Sequence, residues 1–245
     1  MTLAVDPVAV TAYDAPFLRH QVDPRRVLGA WRLGGAVVLE QQPHQPGADG
    51  CVVTAIGPPE DVAELAVQVA PLVAAPWRVS VEEPALASLP EAWRPATVDR
   101  WHWMLARELP ASSDPGLGVV EVHEAAEIDA VLDDAQPTAH ARPGSPGIEC
   151  WLGVRDGGRL VAVGALVRMP DRTGHLRAVS VLSSARGRGL GRVVSAALTQ
   201  RALTGGSGVA TLGVYAENEV AIGLYRSLGY AVVHRFASGS PGSPA

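Results

Sequence analysis

Six residues with glycine at every second position, Arg-Gly-Arg-Gly-Leu-Gly at 186–191, separate a strand-like segment (176–182) from an amphipathic helix-like segment (192–202). A strand that turns directly into a helix leaves the first-turn N–H groups without partners, at the positive end of the helix dipole. Because glycine has no Cβ, an anion can approach these N–H groups closely. The two arginines add charges that can bind phosphate oxygens. Residues 186–191, here named the cradle, are therefore predicted to bind phosphate.

Two other glycine-rich phosphate loops do not fit the cradle. A dinucleotide-binding loop needs a third glycine where Arg192 stands, and no acidic residue ends a strand about twenty residues further on. A P-loop needs a lysine, and the chain contains none. A Rossmann dehydrogenase and a P-loop ATPase are excluded, and a glycine-rich surface turn without a ligand stays the alternative.

A second pattern begins after another strand-like segment, at 209–214. Asn218 is placed to cap a helix, and Gly229 is placed to end it. Four residues between them recur at helical spacing: Ala221, Leu224, Tyr225 and Leu228. The pattern predicts a helix with one apolar face that carries Tyr225.

Together, the two patterns resemble the motifs of the GNAT superfamily, the acyl-CoA-dependent N-acyltransferases. The first matches Arg-x-x-Gly-x-Gly, and the second matches Asn-x-x-Ala-x-x-Leu-Tyr-x-x-Leu-Gly-aromatic. The matching residues are Arg186, Gly189, Gly191, Asn218, Ala221, Leu224, Tyr225, Leu228, Gly229 and Tyr230. The resemblance implies acetyl-CoA or another acyl-CoA as co-substrate, with no metal.

The resemblance also implies where acyl-CoA binds. Its pyrophosphate would lie on the backbone amides of 187–192, and its pantetheine arm would bond the backbone of Val179 and Val181. The cofactor-binding residues expected in the turn are Arg186, Gly187, Arg188, Gly189, Leu190, Gly191 and Arg192. Asn218 either bonds the pantetheine arm or only caps its helix.

For catalysis, the resemblance implies that Tyr225 protonates the departing thiolate, although a tyrosine on this helix face could also be a core residue. An N–H near Val181 would stabilise the oxyanion, an effect of about 3 kcal/mol per donor. The general base has three candidates, Glu149, His175 and Glu217, with Glu149 first because the family's second strand faces the acceptor site. A water chain to solvent would also remove the proton.

The element order predicts an α+β fold: a mixed, mostly antiparallel sheet flanked by helices, with a second, smaller α/β domain. The catalytic domain is expected at 117–238, after a linker at 109–116, and a disordered tail at 239–245. Residues 1–112 form either a degenerate GNAT-like domain or a structural one. Its strand, helix and strand are predicted at 51–56, 60–75 and 77–81.

Three further segments leave alternatives open or exclude a function. The turn at 57–61 contains two prolines and two carboxylates, so CoA should not bind there. Trp101 and Trp103 either pack between the domains or form an aromatic wall for the acceptor. The Pro- and Gly-rich loop at 136–147 is either a lid, with His140 and Arg142 meeting the substrate, or a plain connection.

Composition limits the remaining classes. A net charge of −5 gives no basic field for nucleic acid. No apolar run could span a membrane and no secretory signal is recognisable, so a cytoplasmic protein is expected. Cys51 and Cys150 are expected to be buried, reduced thiols.

The expected activity is acyl transfer to a primary amine of a small molecule or peptide, and a homodimer stays open. The alternative is a non-catalytic acyl-CoA-binding sensor or regulatory module. The presence of Tyr225 favours the enzyme.

Overall fold

The computed structural model describes residues 3–43, 50–109 and 118–242. Its strands are β1 (Leu3–Ala4), β2 (Val27–Leu33), β3 (Ala36–Gln41), β4 (Cys51–Ile56), β5 (Pro76–Glu82), β6 (Asp99–Ala106), β7 (Val119–Glu121), β8 (Ile148–Asp156), β9 (Arg159–Arg168), β10 (Gly174–Val181), β11 (Ala210–Tyr215) and β12 (Ala231–Gly239). Its α-helices are α1 (Pro16–Gln21), α2 (Pro59–Val69), α3 (Ala125–Ala135), α4 (Leu190–Thr204) and α5 (Glu219–Ser227). The expected α+β class, a mixed sheet flanked by helices, is confirmed.

The chain forms two compact units. The first comprises residues up to 103, with 215–217 and 233 onward, and the second comprises 104–214 and 218–232. This division differs from the expected domain at 117–238, because the last strand pairs with β5 of the first unit between Phe236 and Gly239. The expected linker at 109–116 lies, apart from Leu109, outside the described residues.

In the first unit, the strands lie in the order β1-β2-β3-β4-β5-β12. Strands β4 and β5 are parallel and are joined through α2, whose apolar face is buried against them. The helix expected to run to residue 75 ends at Val69 because Pro71 has no N–H group to continue it. Trp103 is fully buried, and Trp101 stacks on Phe236, so these indoles pack inside the first unit rather than between domains.

The expected disordered tail is only partly outside the described residues. Gly239 still belongs to β12, and Ser240 accepts a hydrogen bond at its carbonyl oxygen from the Ala96 N–H group at 3.0 Å. Pro241 then bridges to Pro95. The prediction is therefore wrong for 239–242, because Gly239 pairs with Val79 and residues 240–242 pair with the chain at 94–96. Residues 243–245 lie outside the described residues.

The second unit contains a sheet in the order β11-β10-β9-β8-β7. Strands β7 to β10 are antiparallel, with a turn at Gly157-Gly158 between β8 and β9, whereas β10 and β11 are parallel. One face packs on α4, and apolar residues of α5 join that core. The opposite face packs on α3.

Helix α4 lies very close to the sheet because glycines face it. A Cβ on Gly174 would lie 2.4 Å from the Ala202 Cβ, and one on Gly164 would lie 2.7 Å from Leu198. Larger residues at these positions would push the helix outward. This close packing sets the position of the α4 N-terminus at the end of β10.

Strand β10 contains a bulge. Its pairing with β9 shifts register between Arg177 and Ser180, and Ala178 has a φ of 51°. Its pairing with β11 stops at Leu176, opposite Leu212, although both strands continue. The two strands therefore separate beyond this pair and leave an opening, defined here as the space between residues 177–181 and 213–214.

Candidate functional site

A short 3₁₀ turn at Ser183–Ala185 follows β10, and the cradle follows this turn and leads into α4. Gly187 and Gly189 each have a φ of 75°, the left-handed region that glycine adopts at little cost. Gly189 is the N-cap of α4. A Cβ at either glycine would meet no atom within 4 Å, so the space beside the turn is open.

The backbone amides of the cradle face this open space without partners. Within the described residues, no hydrogen bond engages the N–H groups of 187–191. The Arg192 N–H instead donates to the Gly189 carbonyl at 3.0 Å, as the first bond of the helix. The amides without a partner are therefore those of 187–191, one residue fewer than the expected 187–192. They lie at the positive end of the α4 dipole.

Both cradle arginines, Arg186 and Arg188, are exposed, and Arg188 forms an ion pair with a neighbouring carboxylate. Arg188 forms an ion pair of 2.8 Å with Asp156 of the β8–β9 turn, and both side chains are about half exposed. The charge of Arg186 lies near Asp134. The pKa of the Asp134 carboxyl is lowered mainly by a hydrogen bond from the Ser183 N–H and further by the charge of Arg186. An exposed ion pair of this kind contributes little, so Arg188 can exchange Asp156 for a phosphate.

The opening beside β10 presents backbone groups. The Leu182 N–H donates to the Val161 carbonyl at 2.9 Å, so Ser180 and Leu182 direct their backbone groups toward β9. In an antiparallel ladder the intervening residue points the other way. The backbone groups of Val181 are therefore directed away from β9, toward the opening, and the expected bond of the pantetheine arm to Val179 and Val181 stays a prediction.

Tyr225 lies on the inner face of α5, and its ring is 5.8 Å from that of Tyr230. Burial raises the pKa of Tyr225 to about 12, and the nearby Ser195 hydroxyl offsets part of the rise. The Ser195 side chain is fully buried, and its hydroxyl is the polar group that acts on the Tyr225 phenol. The phenol is therefore protonated at neutral pH and has a proton to donate.

Ser195 is a residue that sequence reasoning missed. It stands within the apolar segment 193–198 of α4, where a hydroxyl is unusual on a buried helix face. That isolated polar position is the signal that could have identified it.

Asn218 caps α5. Its Oδ1 accepts a hydrogen bond from the Ala221 N–H at 3.1 Å, which confirms the capping role. The side-chain amide remains exposed, so a bond to the pantetheine arm stays a prediction.

Glu149 is held by two arginines. Its carboxylate accepts hydrogen bonds of 2.6 and 3.0 Å from Arg168 and one of 3.5 Å from Arg201. The Arg168 guanidinium is the main cause that lowers the pKa of Glu149. A carboxylate paired in this way binds protons weakly, which argues against its predicted role as the base.

The position of Glu149 argues in the same direction. It precedes Cys150, which is opposite Leu166, and Leu166 is opposite Leu176 at the near end of the opening. Two strand spacings and several residues therefore separate it from Val181, roughly 15 Å by ordinary sheet dimensions.

The other two candidate bases differ in location. His175 is buried, and its Nδ1 lies 2.9 Å from the Thr211 Oγ1, one pair before the opening begins. Glu217 is exposed and belongs to the first unit. His175 is thus the candidate that borders the opening within the second unit.

The loop at 136–147 is anchored rather than free. The Arg142 guanidinium donates to Asp129 at 3.1 Å, to Asp133 at 2.7 Å and to the Pro137 carbonyl at 2.8 Å. Arg142 is therefore committed to α3, whereas His140 is exposed. These bonds favour the fixed connection over the lid.

The turn before α2 in the first unit is closed by internal carboxylates. The Gly57 N–H donates to Glu82 at 2.7 Å, and Asp61 accepts from the Gly35 N–H at 2.8 Å. An amide that phosphate would need is thus already used, which agrees with the expectation that CoA does not bind there.

Both cysteines are buried and neither forms a disulfide, as expected. Burial raises the pKa of each thiol to about 11. Across the described ranges, the structure contains no helix long and apolar enough to cross a membrane.

Comparison with known proteins identifies related sequences. The family model described as "Acetyltransferase (GNAT) family" matches residues 89–230, more than half of the chain. An uncharacterized protein of Mycobacterium leprae (strain TN) is 28% identical over 231 residues, which cover 86% of this chain. The match covers only 60% of that curated relative, so the chain spans less than two thirds of its length.

Solved structures show the same fold. A GCN5-related N-acetyltransferase from Kribbella flavida superimposes with a TM-score of 0.59 and 23% identity, covering 98% of this chain and 96% of that one. A putative acetyltransferase of the GNAT family from Novosphingobium aromaticivorans superimposes with a TM-score of 0.52 and 24% identity, covering 96% of this chain and 99% of that one. A tandem GNAT protein from the clavulanic acid biosynthesis pathway superimposes with a TM-score of 0.52 and 13% identity, covering all of both chains.

Proposed function

Because the chain belongs to the GNAT acetyltransferase family, we propose that it transfers an acetyl or other short acyl group from acyl-CoA to a primary amine. The acceptor is a small molecule or a peptide, and it attacks the thioester directly while both substrates are bound. The observation that carries this proposal is the run of unpartnered N–H groups at 187–191, beside the opening along β10.

The residues of the second unit fit acyl-CoA. The amides of 187–191, with Arg186 and Arg188, would hold the pyrophosphate, and the open space at Gly187 and Gly189 leaves room for it. The backbone of Val179 and Val181 would hold the pantetheine arm, with Asn218 at its side. When bound, acyl-CoA supplies an electrophilic carbonyl carbon and a thiolate leaving group.

Two groups of the chain would act on the reaction. The Val181 N–H, which points into the opening, would donate to the oxyanion as the amine nitrogen bonds to the carbonyl carbon. The Tyr225 phenol would give its proton to the sulfur as the carbon–sulfur bond breaks, and would regain a proton from solvent. The raised pKa of Tyr225 keeps this proton in place until the thiolate forms.

The acceptor must also lose a proton. Glu149, the first-ranked base, is bound by Arg168 and Arg201, so we give it no part in this step. His175 borders the opening and is the nearer candidate, and a water chain is the other route. The cytoplasmic location and the homodimer stay predictions.

The alternative is an acyl-CoA-binding sensor without turnover. The pairing of Glu149 favours it, because the carboxylate ranked first as base is not available to accept a proton. Tyr225, with its protonated phenol beside Ser195, favours the enzyme.

A two-step experiment separates these functions. Calorimetric titration with acetyl-CoA first tests binding, and a thiol-release assay with acetyl-CoA and a panel of primary amines then tests transfer. The proposal predicts binding followed by amine-dependent release of CoA thiol. Binding without release from any amine would support the sensor, and absence of binding would contradict both functions.

A further inference from the structure

The two faces of β10 differ in chemistry near the opening. The face toward α4 is apolar and carries Leu176, Val179 and Val181. The opposite face carries His175, Arg177 and Ser180, of which His175 and Ser180 are almost fully buried. In ligand sites, a small number of polar groups beside an apolar surface fixes the orientation of the ligand.

Arg177 has no counter-charge. Within the described residues it forms no ion pair or hydrogen bond, although it lies on the face that α3 covers. Each carboxylate of α3 is engaged elsewhere: Glu127 with Arg155, Asp129 and Asp133 with Arg142, and Asp134 with the Ser183 N–H. The nearest helix therefore offers Arg177 no available acid.

A partly buried guanidinium without a partner is unfavourable. Burial lowers the pKa of Arg177, yet an arginine stays charged in proteins. Removing such a charge from water costs free energy that an opposite charge can offset. An anionic ligand at this position would provide that offset.

The position of Arg177 relates it to the acceptor. It is one residue beyond Leu176, where the pairing of β10 with β11 ends, and it stands at the bulge. Val179 and Val181 are two and four residues further along, about 7 to 13 Å at ordinary strand rise. Arg177 is half-buried, so part of its side chain stays within reach of a ligand, and it lies on the face opposite the α4 face that is proposed for CoA.

We propose that Arg177 binds a carboxylate of the acceptor, so that the substrates of this protein are primary amines that also carry an anionic group. The planar guanidinium fork matches a carboxylate through two parallel hydrogen bonds. His175 and Ser180 lie on the same face but are buried beside Thr211 and Gln136, at 2.9 and 3.3 Å, so the guanidinium is the charged group that this face offers to an acceptor. This inference rests on the proposed function, since it names the substrate class of the same site.

The test compares matched acceptors. Linear amino acids with one to five methylene groups between amine and carboxylate are assayed beside their primary amides, with acetyl-CoA and the full chain. We expect kcat/KM to favour the best acid over its amide by about tenfold or more, the scale of one charge-assisted hydrogen-bonded pair. Arg177→Gln should reduce this acid-to-amide ratio toward one, and Arg177→Lys should restore part of it.

Arg159→Gln is the matched control, because Arg159 is an exposed arginine at the start of β9 in the same unit. It removes the same charge and should keep the acid-to-amide ratio of the unchanged protein. Thermal melting of all variants identifies any that fail to fold. An amide used as well as its acid, or a ratio that Arg177→Gln leaves unchanged, would overturn the inference.

A second readout separates this inference from the proposed function. The same acids and amides are titrated calorimetrically into protein saturated with CoA. Binding of an acid that depends on Arg177, without thiol release from acetyl-CoA, would support the anion site and contradict the transferase. Thiol release with no Arg177-dependent preference would support the transferase and contradict the anion site.

Discussion

The phenol of Tyr225 depends on its surroundings for its chemistry. Burial on the inner face of α5 raises the pKa to about 12, and the buried Ser195 hydroxyl limits that rise. The neighbouring Tyr230 is different, because its hydroxyl lies 2.9 Å from the Thr199 Oγ1 and is held within the core. The two neighbouring tyrosines therefore have different hydrogen-bonding surroundings.

We expect Tyr225→Phe to lower kcat by about a hundredfold, the lower end of general acid catalysis, because the variant lacks the proton proposed for the departing sulfur. The dissociation constant of acetyl-CoA should stay within about twofold, since the ring and its packing remain. Tyr230→Phe is the matched control and should keep kcat. Equal kcat for Tyr225→Phe and the unchanged protein would show that the phenol is not the acid.

The pH profile of kcat gives an independent check of Tyr225. An acid must be protonated to act, so its contribution is lost only as pH rises through its pKa, here about 12. We therefore expect no falling limb between pH 7 and pH 10. A falling limb in that range that disappears in Tyr225→Phe would contradict the raised pKa.

Glu149→Gln should leave kcat within about twofold. A carboxylate whose pKa Arg168 lowers is a poor base, and it lies far from the opening. Because the pKa of Glu149 is lowered in the folded state, its ion pairs stabilise the fold at pH values above the pKa that it has in the unfolded chain. This stabilisation is lost as the pH falls through the folded-state pKa. The loss of stability at pH 7 should be at most about 1 kcal/mol, because the pairs are partly exposed. A fall in kcat of about a hundredfold or more would instead identify Glu149 as the base.

The contrast between Glu149 and the cradle shows what single residues reveal in sequence. Gly187 and Gly189 were predictable because the backbone conformation they allow is a local property. The partners of Glu149 were not, because Arg168 and Arg201 approach it from another strand and another helix. Arg177 was not singled out for the same reason: its lack of a partner depends on where each acid of α3 is directed.

Helix α4 connects the packing of the sheet to the cradle at its N-terminus. Its distance from β9 and β10 is set by Gly164 and Gly174, which lie under Leu198 and Ala202. The α+β class followed from the order of elements in the sequence, and the structure confirms it. The bulge at Ala178 did not, because alanine carries no local signal for a positive φ.

Gly174→Ala should destabilise the protein by about 1 to 3 kcal/mol, since its Cβ would lie 2.4 Å from the Ala202 Cβ and 2.8 Å from its Cα. Gly223→Ala is the matched control, because a Cβ there meets no atom within 4 Å in the middle of α5. It should stabilise by about 0.5 to 1 kcal/mol through helix propensity. Chemical denaturation measures both, and equal stability of the two variants would contradict the close contact of α4 with the sheet.

Among the described residues, the turns that precede α4 and α2 differ in whether their backbone N–H groups have acceptors. In the second unit, the amides of 187–191 have no acceptor among the described residues, whereas in the first unit Glu82 occupies the Gly57 amide. The prolines and acids at 57–61 allowed the closed turn to be anticipated from sequence, although Glu82 itself, some twenty residues away, could not be identified as the acceptor. A degenerate GNAT origin of the first unit stays a prediction.

The division into units was the least predictable feature at this scale. The final strand follows the second-unit helix α5 directly in sequence, yet it pairs with β5 of the first unit. Strand partners distant in sequence depend on register and on aromatic packing such as that of Phe236 on Trp101. Neither is visible in local periodicity.

Calorimetric titration of the full chain with acetyl-CoA tests the central claim most directly, using Gly189→Glu and its control Gly208→Glu. Both glycines have nearly the same φ, 75° and 73°, and both face open space, so the two variants add equal strain and charge. We predict one acetyl-CoA per unchanged chain, none for Gly189→Glu because its carboxylate repels the pyrophosphate, and unaltered binding for Gly208→Glu. Binding by Gly189→Glu with unchanged affinity, or two molecules per chain, would contradict the account.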